Sequence, residues 1–177
     1  MMSGHREKSC FVLSGILCSQ VAGLIVAVLC LPIFSLDHGP LYGVQQCRVF
    51  MLGENALHGF NFEAVAMGMM FHLLVFSLFW GVAYGLMASL LNISTPKRAL
   101  FLGILVGFLS LLDVYYVTPV FMVQFYGLDI WAREVPRVQD WFTHLAFGVS
   151  FIFFPEILHF VRSNRTHYHP DEYSNTV

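Results

Sequence analysis

The sequence predicts an all-α integral membrane protein: a four-transmembrane-helix bundle with both termini cytoplasmic. Three observations carry this. Of the 177 residues 57% are hydrophobic and only 11% charged, where soluble domains are about a quarter charged. A soluble chain this short could not bury so much apolar surface. The apolar residues come in blocks, and the basic residues fall mainly on one side of them. Phe11–Leu36 and Ala64–Pro96 hold no Asp, Glu, Lys or Arg; Ala99–Leu128 is broken only by Asp113, and Trp141–Val161 only by Glu156. A spanning helix needs roughly 20 apolar residues, so spans are expected near 11–35, 64–91, 99–123 and 140–161, in one membrane domain covering 1–177. An even number of spans leaves both termini on one side. That side would hold Arg6, Lys8, Lys97, Arg98, Arg162 and Arg165, against Arg48, Arg133 and Arg137 on the other, and the positive-inside rule makes the richer side cytoplasmic.

The first block has a basic start, but its apolar core is too long for a signal peptide and no small-x-small cleavage site follows, so it reads as a retained span. Cys18 and Cys30 each follow Leu, which argues against a lipoprotein cysteine. The first outer loop is long and mixed, and Val49–Leu52 is expected to form a short helix at the interface. "NISTPKR" is a tight cytoplasmic turn punctuated by Asn92 and Pro96. In the second outer loop Tyr126 and Trp131 suit the headgroup level. Residues 162–177 form a polar tail expected to fray.

Cysteine gives a useful negative. Only Cys47 lies in an outer loop, so the outer loops have no intramolecular disulfide partner between them, and a bacterial inner membrane is the natural home. The sequons Asn92-Ile93-Ser94 and Asn164-Arg165-Thr166 fall on the inner side and read as chance. No basic stripe points to nucleic acid. The expected partners are the lipid bilayer and either a second copy or a larger membrane complex.

Small residues recur four apart: Gly81 and Gly85, Gly103 and Gly107, and Ser19, Gly23 and Ala27 in the first span. Such spacing lets helix backbones approach closely. Packing within the bundle is the first reading; homodimerisation through one of these faces is the second.

The polar groups inside the spans carry what chemistry there is. At about 1.5 Å per residue, His72 lies roughly 12 Å from the outer end of its span, Asp113 roughly 15 Å and His144 roughly 6 Å. All three could meet in the outer half, beneath the loosening that Pro119 introduces. An ionised group at such depth is expensive and is tolerated inside a bundle or at a water-filled cavity. Three readings stay open. One is a structural carboxylate hydrogen-bonded to an imidazole or tyrosine. Another is a proton-handling cluster, since histidine titrates near neutrality. The last is a metal or haem site using His72 and His144, although HxxxH, CxxC and HExxH spacings are absent. No cofactor is predicted from motifs. No nucleophile elbow or phosphate loop appears either, so a non-enzymatic role is favoured. Glu156 lies about 18 Å from His144 along the axis. With His159 it forms a separate polar group at the cytoplasmic end, just before Arg162, read as an interfacial ion pair or a snorkelling group, or else as a proton port opened by Pro155.

Two stretches, "FHLLVFSLFWGVAYGLMASLL" and "THLAFGVSFIFFPEILHFVRSNRTHYHPDE", resemble the YagU-like family of bacterial inner-membrane proteins. The shared pattern is a His-led apolar helix ending in a Gly/Tyr pair, then His-Leu, an apolar run, Glu-Ile and a basic tail with a His/Pro/Asp cluster. It falls here on His72, Tyr84, His144, Glu156, Ile157, Arg162, Arg165, His169, Pro170 and Asp171. The likeness covers roughly the C-terminal two thirds and leaves Asp113 outside. It implies an integral inner-membrane protein associated with acid resistance and names no catalytic residue.

Overall fold

The computed structural model describes residues 4–34 and 41–168, and every regular element among them is helical. Four helices are long and apolar enough to cross a membrane: Glu7–Leu29, Phe62–Leu90, Pro96–Tyr126 and Arg137–Asn164, called here spans one to four. They overlap the four apolar blocks, each starting a few residues before its block. Residues 162–168, read from sequence as fraying tail, continue the last helix to Tyr168. The remainder of that tail and its His169, Pro170 and Asp171 lie outside the described residues, as do 35–40 of the first outer loop.

Local chemistry sets the boundaries. Asn61 caps span two, its Oδ1 accepting from the N–H groups of Glu63 at 2.9 Å and Ala64 at 3.3 Å, which satisfies two otherwise orphaned donors. Span two ends at Asn92, which takes a left-handed φ of 48° that asparagine tolerates better than most residues. Pro96 then opens span three at a position where its missing N–H costs nothing. In span four Pro155 has no N–H to give the carbonyl one turn back. The helix tightens there into a 3-10 turn over Phe151–Phe153 before resuming at Phe154. In the first outer loop Val49–Leu52 does form a short helix.

The termini and the 91–95 turn share one end of the bundle; the 41–61 and 127–136 segments cap the other, the loop end. At the termini end the core is aromatic and dry. Tyr84 stacks on Phe151 with centroids 4.0 Å apart and meets Phe154 edge-on at 5.0 Å. All three side chains are fully buried, and the Tyr84 hydroxyl donates to the Ala99 carbonyl at 3.1 Å.

Glycines set how closely the spans approach here. A Cβ on Gly85 would sit 2.6 Å from Val12 Cα, and one on Gly15 would sit 2.8 Å from Gly85 Cα. Likewise a Cβ on Gly107 would lie 3.1 Å from Gly148 Cα, while one on Gly103 would lie 2.8 Å from Phe151 Cβ. Gly81 faces Ile16 Cα of span one at 2.9 Å in the same sense. The four glycines singled out by spacing therefore lie at contacts within the bundle, one pair on span one and the other on span four.

Candidate functional site

At the loop end the helices separate around a cavity of about 110 Å³. Its wall takes His72 from span two, Asp113 from span three and His144 from span four, so the three groups located by depth line one space. They do not pair with one another as an imidazole–carboxylate bridge. His144 Nδ1 lies 2.8 Å from Ser110 Oγ, which also reaches the Gly107 carbonyl at 2.8 Å. One hydroxyl hydrogen serves one acceptor. With it on Gly107, His144 donates through Nδ1 and keeps Nε2 as a proton acceptor. His72 Nδ1 lies 4.0 Å from the Cys47 sulfur, a weak contact. Asp113, half-buried, makes no hydrogen bond or ion pair among the described residues.

The buried carboxylate that is hydrogen-bonded is Asp140. Only 3% exposed, it lines the cavity and accepts from Trp131 Nε1 at 3.2 Å. Sequence reasoning placed Asp140 at the mouth of span four. The 127–136 segment overrides that, because the short helix Ile130–Glu134 folds Trp131 back over it. Trp131 also packs on Phe50 at 5.5 Å, and Tyr126 donates to the Phe50 carbonyl at 3.0 Å. These two aromatics, expected at the headgroup level, thus lock the loops to the bundle. Gln139 reaches Gln46 at 3.2 Å across the same roof.

His72 is held by an irregular turn. His72–Ser77 is a π-helical segment inside span two, a feature that recurs at functional sites. Span one serves its carbonyls. Gln20 Nε2 donates to Leu73 O at 3.0 Å, and the Ser19 hydroxyl reaches Ser77 O at 2.6 Å. The π turn leaves two polar atoms without a partner in the protein, His72 Nε2 and Ser77 Oγ. Both flank bare Gly23, where an added Cβ would lie 3.4 Å and 2.5 Å from them. Buried polar atoms without partners are uncommon, and here both belong to residues of the cavity wall. A cavity of this size with polar groups on several sides has room for water.

At the other end Arg162 pairs with Glu7 at 3.1 Å and lies 5.1 Å over the Phe11 ring, so its acidic partner is on span one. Glu156 and His159 are exposed on the outer face of the helix. Phe151 and Phe154, at the 3-10 turn before Pro155, are buried. Among the described residues no three His, Cys, Asp or Glu side chains converge as a metal site. No protein-family model, curated protein or solved structure matches this chain.

Proposed function

We propose that this chain is a multi-pass protein of the bacterial inner membrane that handles protons in the outer half of its bundle and so contributes to acid resistance or proton homeostasis. The observation that carries the reading is the convergence of His72, Asp113 and His144, from three spans, on one cavity at the loop end. Titratable groups at such depth are expensive and mark proton paths in many membrane proteins. The excess of lysine and arginine on the termini side puts the loop end outside, where acid arrives. With the Ser110 hydrogen on the Gly107 carbonyl His144 keeps an acceptor nitrogen, and His72 Nε2 has no competing partner. The likeness to the YagU-like family supports the same placement and is itself part of the proposal.

Deleting the gene should lower survival at low pH. The wild-type chain should restore it, and His72→Ala and Asp113→Asn, expressed equally, should not. Full rescue by both variants would dissociate the cavity from the phenotype. A periplasm-active reporter fused after Val177 should be silent; strong activity would invert the orientation.

A second reading has an observation of its own. Span two is the least covered, with 22% of its apolar window buried against 39–44% for the others. An accessory subunit, or a second copy, would use that face. Co-purification of a stoichiometric partner in mild detergent would identify it.

A further inference from the structure

The cavity wall has a composition that proton handling alone does not require. Five of its side chains are aromatic (Phe50, Phe76, Trp80, Trp131 and Phe147), two are carboxylates (Asp113 and Asp140), and none is a lysine or an arginine. Arg133 at the same end is taken by Glu54 and Glu134, while Arg48 and Arg137 do not line the space. Aromatic faces attract cations, most strongly when the cation is stripped of water. Carboxylates at this depth call for a counter-charge. A strongly hydrated metal ion would need a convergent oxygen or nitrogen set that this wall lacks; a small organic ammonium, whose charge is spread over methyl groups, needs faces and a distant carboxylate.

The second element is polar. Ser77 is 1% exposed, its hydroxyl has no partner in the protein, and it lines the cavity beside the equally unpartnered His72 Nε2. Both atoms lie beside Gly23, where even a Cβ would crowd Ser77 Oγ, so the two polar atoms share one tightly packed corner of the wall. Together a hydroxyl and an imidazole nitrogen suit a hydroxyl group on the guest. We propose that the cavity binds a small organic cation of the amino-alcohol class. Its ammonium lies among the aromatic faces and Asp113, and its hydroxyl lies against Ser77 and His72. This names a ligand for the site read above as proton-handling, and so rests on that cavity being a working site.

The test uses the full chain in nanodiscs of phosphatidylglycerol, which has no ammonium headgroup, titrated with choline. Calorimetry and tryptophan fluorescence both report, since Trp80 and Trp131 line the space. Saturable binding is expected, with the neutral isostere 3,3-dimethylbutan-1-ol at least tenfold weaker. Asp113→Asn should weaken choline at least tenfold, and Ser77→Ala should weaken choline more than it weakens tetramethylammonium, which has no hydroxyl. Asp113 has no partner to lose, so its amide variant should fold, as an unchanged melting temperature would verify. Nanodiscs of phosphatidylcholine form a second arm. Loss of choline binding there would make a lipid headgroup the occupant by the same chemistry, and retained binding would make it the free cation. Absence of saturation in phosphatidylglycerol, or equal binding of the isostere, overturns the proposal. Either result leaves the titration of His72 and His144 unaffected, so failure of the ligand and failure of the proton reading are told apart.

Discussion

The two ends of this bundle are built from the same four helices and pack in opposite ways. At the termini end, spans one and two meet backbone to backbone through Gly15, Gly81 and Gly85, and spans three and four do so through Gly103, Gly107 and Gly148. Tyr84, Phe151 and Phe154 fill what remains. Toward the loop end the same pairs carry polar side chains instead. Span two passes into its π turn at His72–Ser77, and span three brings Ser110 to His144 and Asp113 to the same cavity. The contrast shows how a bundle of helices long and apolar enough to cross a membrane can hold a cavity open. One end is clamped by close packing, and the irregular end needs only enough hydrogen bonds to satisfy its carbonyls.

The largest effects should come from breaking the clamp. Gly85→Leu and Gly107→Leu push a side chain into the backbone of the neighbouring span, at Val12 and at Gly148 respectively. Overpacking costs about 1–3 kcal/mol in ordinary cores, occasionally more; against backbone that cannot yield, these variants should reach or exceed the upper figure and lower the melting temperature in detergent sharply. Unchanged melting of both would show that the ends do not differ as described. Next, Tyr84→Ala should cost about 3–5 kcal/mol as a large core truncation. Tyr84→Phe isolates the hydroxyl's bond to Ala99 O and should cost about 1–2 kcal/mol.

At the open end the sign of the argument changes. Ser19→Ala removes the hydroxyl that reaches the π turn at Ser77 O, and should cost about 1 kcal/mol. Ser77→Ala removes a hydroxyl with no partner, so stability should stay within about 0.5 kcal/mol or rise. A large loss at Ser77 would mean that its hydroxyl is bonded after all and the cavity wall is structural. A small effect also belongs to the half-exposed Arg162–Glu7 pair. Glu7→Gln should change stability by less than about 1 kcal/mol and the change should fade in high salt.

Much of this was legible in the sequence because the bilayer simplifies the reading. Apolar blocks of spanning length gave the four helices, and a fixed rise per residue placed His72, Asp113 and His144 at a common level, which suffices to find residues lining one cavity. What escaped depended on contacts distant in the chain. Asp140 read as a boundary residue, and only the fold-back of Trp131 makes it a buried member of the wall. Gly148 carries no spacing signal of its own and gains meaning from the glycines opposite, whereas Gly15, four residues before Ser19, extends the first span's small-residue repeat. The partner of Arg162 is Glu7, across the bundle, and no local spacing marks that pair. The π turn has no local signature in "HLLVFS"; it is stabilised by Gln20 and Ser19 of another span.

The central claim is that the groups at the open end share one electrostatic environment. Histidine-labelled chain should be titrated by NMR in the wild type and in Asp113→Asn, with His72→Gln and His144→Gln used for assignment. A carboxylate sharing a low-dielectric cavity with an imidazole changes the cost of its charged form. The account therefore predicts that removing the Asp113 charge displaces the titration midpoint of His72, His144 or both, while exposed His159 at the clamped end stays where it was. If neither cavity imidazole responds, or all three move together, the cavity is not a coupled site and the contrast between the two ends is one of packing alone.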